Sequence, residues 1–290
     1  MRRHLQRAII LSLVLIFAGE SSAGQTIPLQ VLLGGTHVHG LAIDRADPDR
    51  LLIATHHGVF VTQIAAGVAT QVSVRADDFM GFSPHPTQTG TYFASGHSAD
   101  GGNLGVVQST DGGAGWEMLD PGVGGPVDFH QLDVSKSDSS VLYGVYGTLQ
   151  VSRDGGETWR AVAGAPPRLI DIAVSGTDAH RLYAATEAGL LRSTDAGVSW
   201  QGTPLLAEPV SSIATTAIGE VFAFAIGRGL LRGVEPHLLW KPLHRGFGEN
   251  VLLHLTIDPN DLNRLFAVTQ GNELLASRDG GLSWTSIARP

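Results

Sequence analysis

No cysteine occurs among the 290 residues, which excludes disulfides, thiolate metal sites and a cysteine nucleophile. Positive charge is scarce: 19 Lys and Arg against 27 Asp and Glu give a formal charge of −8, which argues against a broad nucleic-acid-binding surface. After residue 23 no apolar run is long enough to span a membrane as a helix, and no extended apolar pattern of period 3.6 competes with short strand-like segments. Phrases that announce a reaction are missing too: there is no Gly-x-Ser-x-Gly elbow, no P-loop and no His-Glu-x-x-His. Glycine is abundant instead, with 37 residues, near twice the usual share of about 7%. At 43% hydrophobic residues, the length supports a large core interrupted by many turns.

The opening segment places Arg2, Arg3 and Arg7 before an apolar run from Ala8 to Gly19, followed by the small residues Ser21 and Ala23. That order predicts a signal peptide over residues 1–23, cleaved on export. The run is shorter than the roughly 17–25 residues that cross a bilayer, which disfavours the alternative of a retained anchor. Residues 24–290 then form one domain of formal charge −10, expected in the bacterial periplasm or outside the cell with no membrane span. Without cysteine it has no attachment point for the lipid of a lipoprotein.

An eight-residue phrase, Ser-x-Asp-x-Gly-x-x-Trp, recurs at Ser109–Trp116, Ser152–Trp159, Ser193–Trp200 and Ser277–Trp284. Its Asp residues are 43, 41 and 84 residues apart, the last interval being two periods around a decayed copy near Trp240. Each phrase follows short β-branched or aromatic segments bounded by turns, such as RLYAATEAGLLRS at Arg181–Ser193, which read as antiparallel strands. Six units fit, near 37–75, 77–119, 127–164, 168–204, 209–243 and 250–287. Repeats of this length and composition predict an all-β β-propeller of six four-stranded blades, whose apolar faces only neighbouring blades can cover. A linear solenoid would carry cap-like end repeats, yet the last unit holds a complete phrase. Gln25–Gly35, with its apolar stretch Ile27–Leu33, is expected to add an outer strand to the last blade and close the ring.

The phrase is an Asp box, or BNR repeat, and the chain resembles that superfamily of β-propellers over essentially all of residues 24–290. The resemblance implies a hairpin turn at each blade periphery, where Asp111, Asp154, Asp195 and Asp279 tie loop backbone and Trp116, Trp159, Trp200 and Trp284 serve as apolar anchors. These aspartates are therefore structural rather than catalytic. Bacterial exported proteins of this pattern are often labelled sialidase-like or glycosyl-hydrolase-like. The sialidases of the superfamily use an arginine triad, a tyrosine nucleophile and an Arg-Ile-Pro-like phrase. That phrase is missing, and segments 37–43, 78–84 and 128–134 contain no arginine. The chain also resembles, more distantly, photosystem II assembly factors and sortilin-type receptor propellers, which implies a binding platform without assigning any ligand residue.

Histidines crowd the first three units, at His37, His39, His56, His57, His85, His97 and His130. Repeat phase aligns His37/His39 with Asp78/Met80 and Asp128/His130, and strand alternation puts each pair on one face of the innermost strand. His56, His57, His97 and Glu187 fall at the end of the second strand, beside the start of the first. Together with Asp77 they outline a polar rim at one mouth of an axial channel, which Ser98–Gly105, through Asn103, would help to wall. Imidazole with carboxylate suits a divalent transition metal such as Zn²⁺ or Cu²⁺, with His39, His57, His97 and His130 as candidate ligands and Met80 keeping copper open. The competing role for these histidines is local hydrogen bonding.

These features predict an exported, noncatalytic binding propeller whose channel mouth takes a small ligand, a metal ion or a segment of an exported protein. One alternative is a metal-assisted or glycoside hydrolase on the same rim, with Asp78 or Asp128 as general base. Another is an assembly or scaffold protein binding through the sides of its blades.

Overall fold

A computed structural model of the protein describes residues 24–204 and 207–290, so the expected signal peptide lies outside the described residues. Strand β1 (Thr26–Pro28) and helix α1 (Leu29–Gly35) precede blade one, formed by β2 (Val38–Ile43), β3 (Arg50–Thr55), β4 (Gly58–Gln63) and β5 (Val68–Gln71). Blade two contains β6 (Asp78–Pro84), β7 (Tyr92–His97), β8 (Val106–Ser109) and β9 (Glu117–Asp120). Blade three contains β10 (Gln131–Val134), β11 (Leu142–Tyr146), β12 (Thr148–Ser152) and β13 (Arg160–Ala163). Blade four contains β14 (Leu169–Val174), β15 (Leu182–Thr186), β16 (Gly189–Ser193) and β17 (Gln201–Gly202). Blade five contains β18 (Val210–Thr215), β19 (Glu220–Ala225), β20 (Gly229–Val234) and β21 (Lys241–His244). Blade six contains β22 (Leu252–Ile257), β23 (Leu265–Thr269), β24 (Leu274–Ser277) and β25 (Thr285–Ala288).

Each blade is a meander of consecutive antiparallel strands, and the innermost strands β2, β6, β10, β14, β18 and β22 touch in order, with β22 returning to β2. The protein is a six-bladed β-propeller. Its core is divided into six apolar clusters, one at each junction between neighbouring blades. Polar bonds from the inner strands reinforce these junctions. Ser83 Oγ donates to Leu132 O at 2.6 Å, and Asp133 Oδ2 accepts from the Val174 N–H at 2.7 Å.

The Asp boxes join the third and fourth strands of blades two, three, four and six. In the second box Ser152 Oγ donates to Asp154 Oδ1 at 2.7 Å and accepts from the Gly156 N–H at 2.9 Å, and Asp154 Oδ1 accepts from the Thr158 N–H at 2.9 Å. Hydrogen bonds from Ser199 and Ser283 hold the Asp195 and Asp279 carboxyls down to a pKa of about 2, so these groups are committed acceptors. Each box tryptophan wedges into the junction with the preceding blade: Trp116 between blades one and two, Trp159 between two and three, Trp200 between three and four, Trp284 between five and six. Trp240 of the decayed copy does the same between blades four and five.

Blade one has no box and no such tryptophan. At its junction with blade six, Leu29, Leu32 and Leu33 of α1 fill the place, packed with Phe60 of blade one and Phe266, Val268 and Leu274 of blade six. Gln25–Gly35 adds no strand to the last blade. Strand β1 pairs with β5 of blade one, with Ile27 opposite Ala69, rather than with the last blade. The remaining residues form a helix, because apolar side chains at i, i+3 and i+4 make a buried stripe on a single turn of helix. Asn272 of blade six then donates to the carbonyls of Leu33 and Thr36 at 3.1 and 2.9 Å, tying the helix over the seam. No helix among the described residues is long and apolar enough to cross a membrane.

Candidate functional site

The axial channel encloses about 590 Å³ and is lined by the innermost strands. Its lining mixes apolar side chains such as Ile43, Phe82, Ile213 and Ile257 with the polar His39, His130, Gln131, Asp171 and His254. Two glycines draw the histidine-bearing blades close together. A Cβ on Gly40 would stand 2.7 Å from Phe82 Cβ, and one on Gly81 would stand 2.4 Å from the Phe129 carbonyl oxygen. Only glycine lets β2, β6 and β10 approach this closely, and the approach brings the polar residues of three blades to one mouth.

There imidazoles and carboxylates form a chain that begins with two histidines in contact. His39 Nε2 lies 3.2 Å from His56 Nδ1, and His56 Nδ1 lies 2.8 Å from Asp78 Oδ2. His97 stands between two carboxylates, with Nδ1 3.7 Å from Asp78 Oδ2 and Nε2 3.5 Å from Asp128 Oδ2. His130 Nε2 closes the chain 2.8 Å from Asp128 Oδ2. The carboxylates sit deep and the outer imidazoles face solvent: Asp128 is 8% exposed, His97 46% and His130 54%. The second oxygens, Asp78 Oδ1 and Asp128 Oδ1, are buried without a hydrogen-bond partner. An unsatisfied buried acceptor costs about 1–3 kcal/mol, and two in one mouth are a feature to be accounted for.

Electrostatics separates the histidines. Burial, followed by repulsion from His56, lowers the His39 pKa to about 3, so its ring is neutral. The hydrogen bond to Asp128 raises the His130 pKa. His57 is lowered by burial and by His56. His254, whose Nε2 is 3.0 Å from the Val38 carbonyl, is lowered by burial to about 4 and forms a neutral bond between blades six and one.

Repeat phase thus brings His39, Asp78, His97, Asp128 and His130 together, with the exposed His37 ring 5.5 Å from that of His56. Of the adjacent pair in the β3–β4 turn, His56 faces Asp78, whereas the His57 ring centre is 6.4 Å from that of His56. The hydroxyl of Thr55 accepts from the His57 N–H at 3.0 Å and fixes this turn. Met80 is buried in the core. Asn103 Nδ2 donates to the Pro126 carbonyl at 2.9 Å, so it holds the loop rather than presenting a free amide. Asp77 accepts from Arg75 and from the Ala99 N–H at 2.8 Å, anchoring the same loop. Glu187 is ion-paired to Arg168 in blade four, apart from the histidine chain. His254, next to His39 in the electrostatics of the mouth, falls in repeat phase with Gly40 rather than with His39, so the matched positions do not single it out.

The fold is a six-bladed β-propeller with a polar mouth, and four of its blades carry the Asp-box phrase. The BNR/Asp-box repeat family matches residues 150–161. Among solved structures, the chain is similar to a GH74 enzyme of Niastella koreensis (15% identity, TM-score 0.59, 92% of this chain and 46% of that one). It is also similar to the GH74 xyloglucanase of Xanthomonas campestris (19% identity, TM-score 0.58, 93% and 46%). YCF48 bound to D1 peptide aligns at 14% identity and TM-score 0.53, covering 90% of this chain and 84% of that one. The chain spans just under half the length of the two GH74 proteins. These likenesses establish the fold. No curated protein matches the chain in sequence.

Proposed function

We propose that the protein is an exported, noncatalytic binding propeller that holds a segment of a partner protein, or a small ligand, at the histidine–carboxylate mouth. One observation carries this reading: six side chains from three blades converge in a continuous chain at the opening of a 590 Å³ channel. A preformed concave site with convergent polar groups is what ligand capture requires. YCF48 holding a peptide on the same fold supports a chain segment as occupant. Export is supported by the basic, apolar and small-residue order of residues 1–23, and predicts Gly24 as the N-terminus of the mature protein.

A hydrolase is the second reading, favoured by Asp78 and Asp128 facing one another across His97. Against it, each carboxylate is already engaged by a closer histidine, His56 or His130. Selection of a displayed random-peptide library on the mature protein tests the binding reading, with xyloglucan oligosaccharides as the hydrolysis probe. The expected result is enriched peptides that lose at least about tenfold affinity when the exposed His97 is changed to Ala, a loss of about 1.4 kcal/mol. Peptides indifferent to that change, or sugar release abolished by Asp78→Asn, would overturn it.

A further inference from the structure

We infer that His39, His56 and Asp78 form a three-ligand site for a single divalent transition-metal ion of zinc type at the channel mouth. The inference rests on the mouth being a binding site and names its inorganic occupant.

Among the described residues, this is the group of His and carboxylate side chains whose potential ligand atoms all lie within 4.8 Å of one another. The separations are the informative part. His39 Nε2 is 3.2 Å from His56 Nδ1, His56 Nδ1 is 2.8 Å from Asp78 Oδ2, and His39 Nε2 is 3.6 Å from Asp78 Oδ1. Zn²⁺ held tetrahedrally at about 2.0–2.1 Å has ligand atoms about 3.3 Å apart. The two separations that share His56 Nδ1, and the His39–Asp78 approach made to the other carboxylate oxygen, are each within about 0.5 Å of that spacing.

Two further observations point the same way. Asp78 Oδ1 is buried and lacks a hydrogen-bond partner, although it faces His39; an ion in the triangle would satisfy it. The ligands also come from two blades held at short distance by Gly40, so the triangle is preorganised and little ordering remains to be done on binding. Two imidazoles and one carboxylate form a borderline-to-hard donor set that suits Zn²⁺ or Co²⁺ and excludes selection of a thiophilic ion. With three protein ligands the fourth tetrahedral position is left to an exogenous donor, the arrangement of an open zinc site. His56 is 38% exposed, which gives an ion access from the mouth.

Metal-free mature protein, purified without an affinity tag, is titrated with Co²⁺ and followed by visible absorbance, with Zn²⁺ as competitor. One equivalent of Co²⁺ is expected, with the strong visible bands of four-coordinate cobalt, displaced by one equivalent of Zn²⁺. His56→Gln and Asp78→Asn should each weaken binding by at least about 10-fold, while His57→Gln leaves it unchanged. Circular dichroism confirms that each variant is folded, and His56, being partly exposed, gives the variant least prone to misfold. Absence of stoichiometric binding, or binding unchanged by both ligand substitutions, would overturn the assignment. Peptide capture that persists in a chelator, with a silent cobalt titration, removes the metal and leaves the binding reading standing. A site that fills with cobalt while no peptide is captured does the reverse.

Discussion

The Nδ1 of His56 stands 2.8 Å from Oδ2 of Asp78, joining the second hairpin of blade one to the first strand of blade two across the channel mouth. The residues are 22 positions apart in sequence and meet because repeat phase sets both at the same end of adjacent blades. From that contact the mouth extends outward to Asp128 and His130.

The His130–Asp128 pair contributes stability that depends on pH. The folded pKa of His130 is raised by its bond to Asp128, so the contribution is fully present below the unfolded value of about 6.5 and is lost as pH rises through the folded value. His130→Gln should therefore cost more at pH 5.5 than at pH 9, by less than about 1 kcal/mol because the ring is half exposed. Urea unfolding of both proteins at the two pH values measures this; an equal cost at both would contradict it.

Asp171, inside the channel, adds a second loss of stability as pH rises towards neutrality. Burial pushes its pKa up to about 7 against two accepted bonds, from the Ile172 N–H at 2.9 Å and the Ile213 N–H at 3.0 Å. With the folded pKa above the unfolded one, stability present below about pH 4 is lost as pH rises to about 7. Asp171→Asn, which carries no charge, should gain on the parent protein between pH 5 and pH 7 by on the order of 1 kcal/mol per pH unit. Unfolding midpoints that keep a constant gap over that range would refute the shift.

Ser152 tests the Asp box as a structural turn. It is 1% exposed, and its hydroxyl links Asp154 to the Gly156 N–H. Ser152→Ala strands that N–H and should cost about 1–3 kcal/mol in urea unfolding while leaving ligand or metal binding at the mouth unchanged. Loss of binding at the mouth would contradict the separation of the two.

The seam depends on α1. Leu33 is fully buried where the other blades use a box tryptophan, and Leu33→Ala should destabilise the protein by about 2–5 kcal/mol. A cost under about 0.5 kcal/mol would show that the helix does not hold the ring closed.

The sequence made the blades legible because a turn as demanding as the Asp box leaves a fixed phrase, and Asp111, Asp154, Asp195 and Asp279 keep its period. It also made His39, Asp78, Asp128 and His130 legible as neighbours, since equivalent positions on innermost strands must converge on one axis. Helix α1 was hidden: Leu29, Leu32 and Leu33 span little more than one turn, and an apolar run that short reads equally as a strand. The choice between His56 and His57 was hidden as well. They are adjacent in a tight turn, where strand alternation ends and the backbone bond from His57 to Thr55 decides which ring faces Asp78.

The metal site assigned to the mouth is tested most directly by a crystal structure grown with Zn²⁺, with anomalous data collected on both sides of the zinc edge. The expected result is one strong peak at about 2.0–2.2 Å from His39, His56 and Asp78. A mouth without a peak, or zinc only on surface histidines such as His180 and His237, would contradict it.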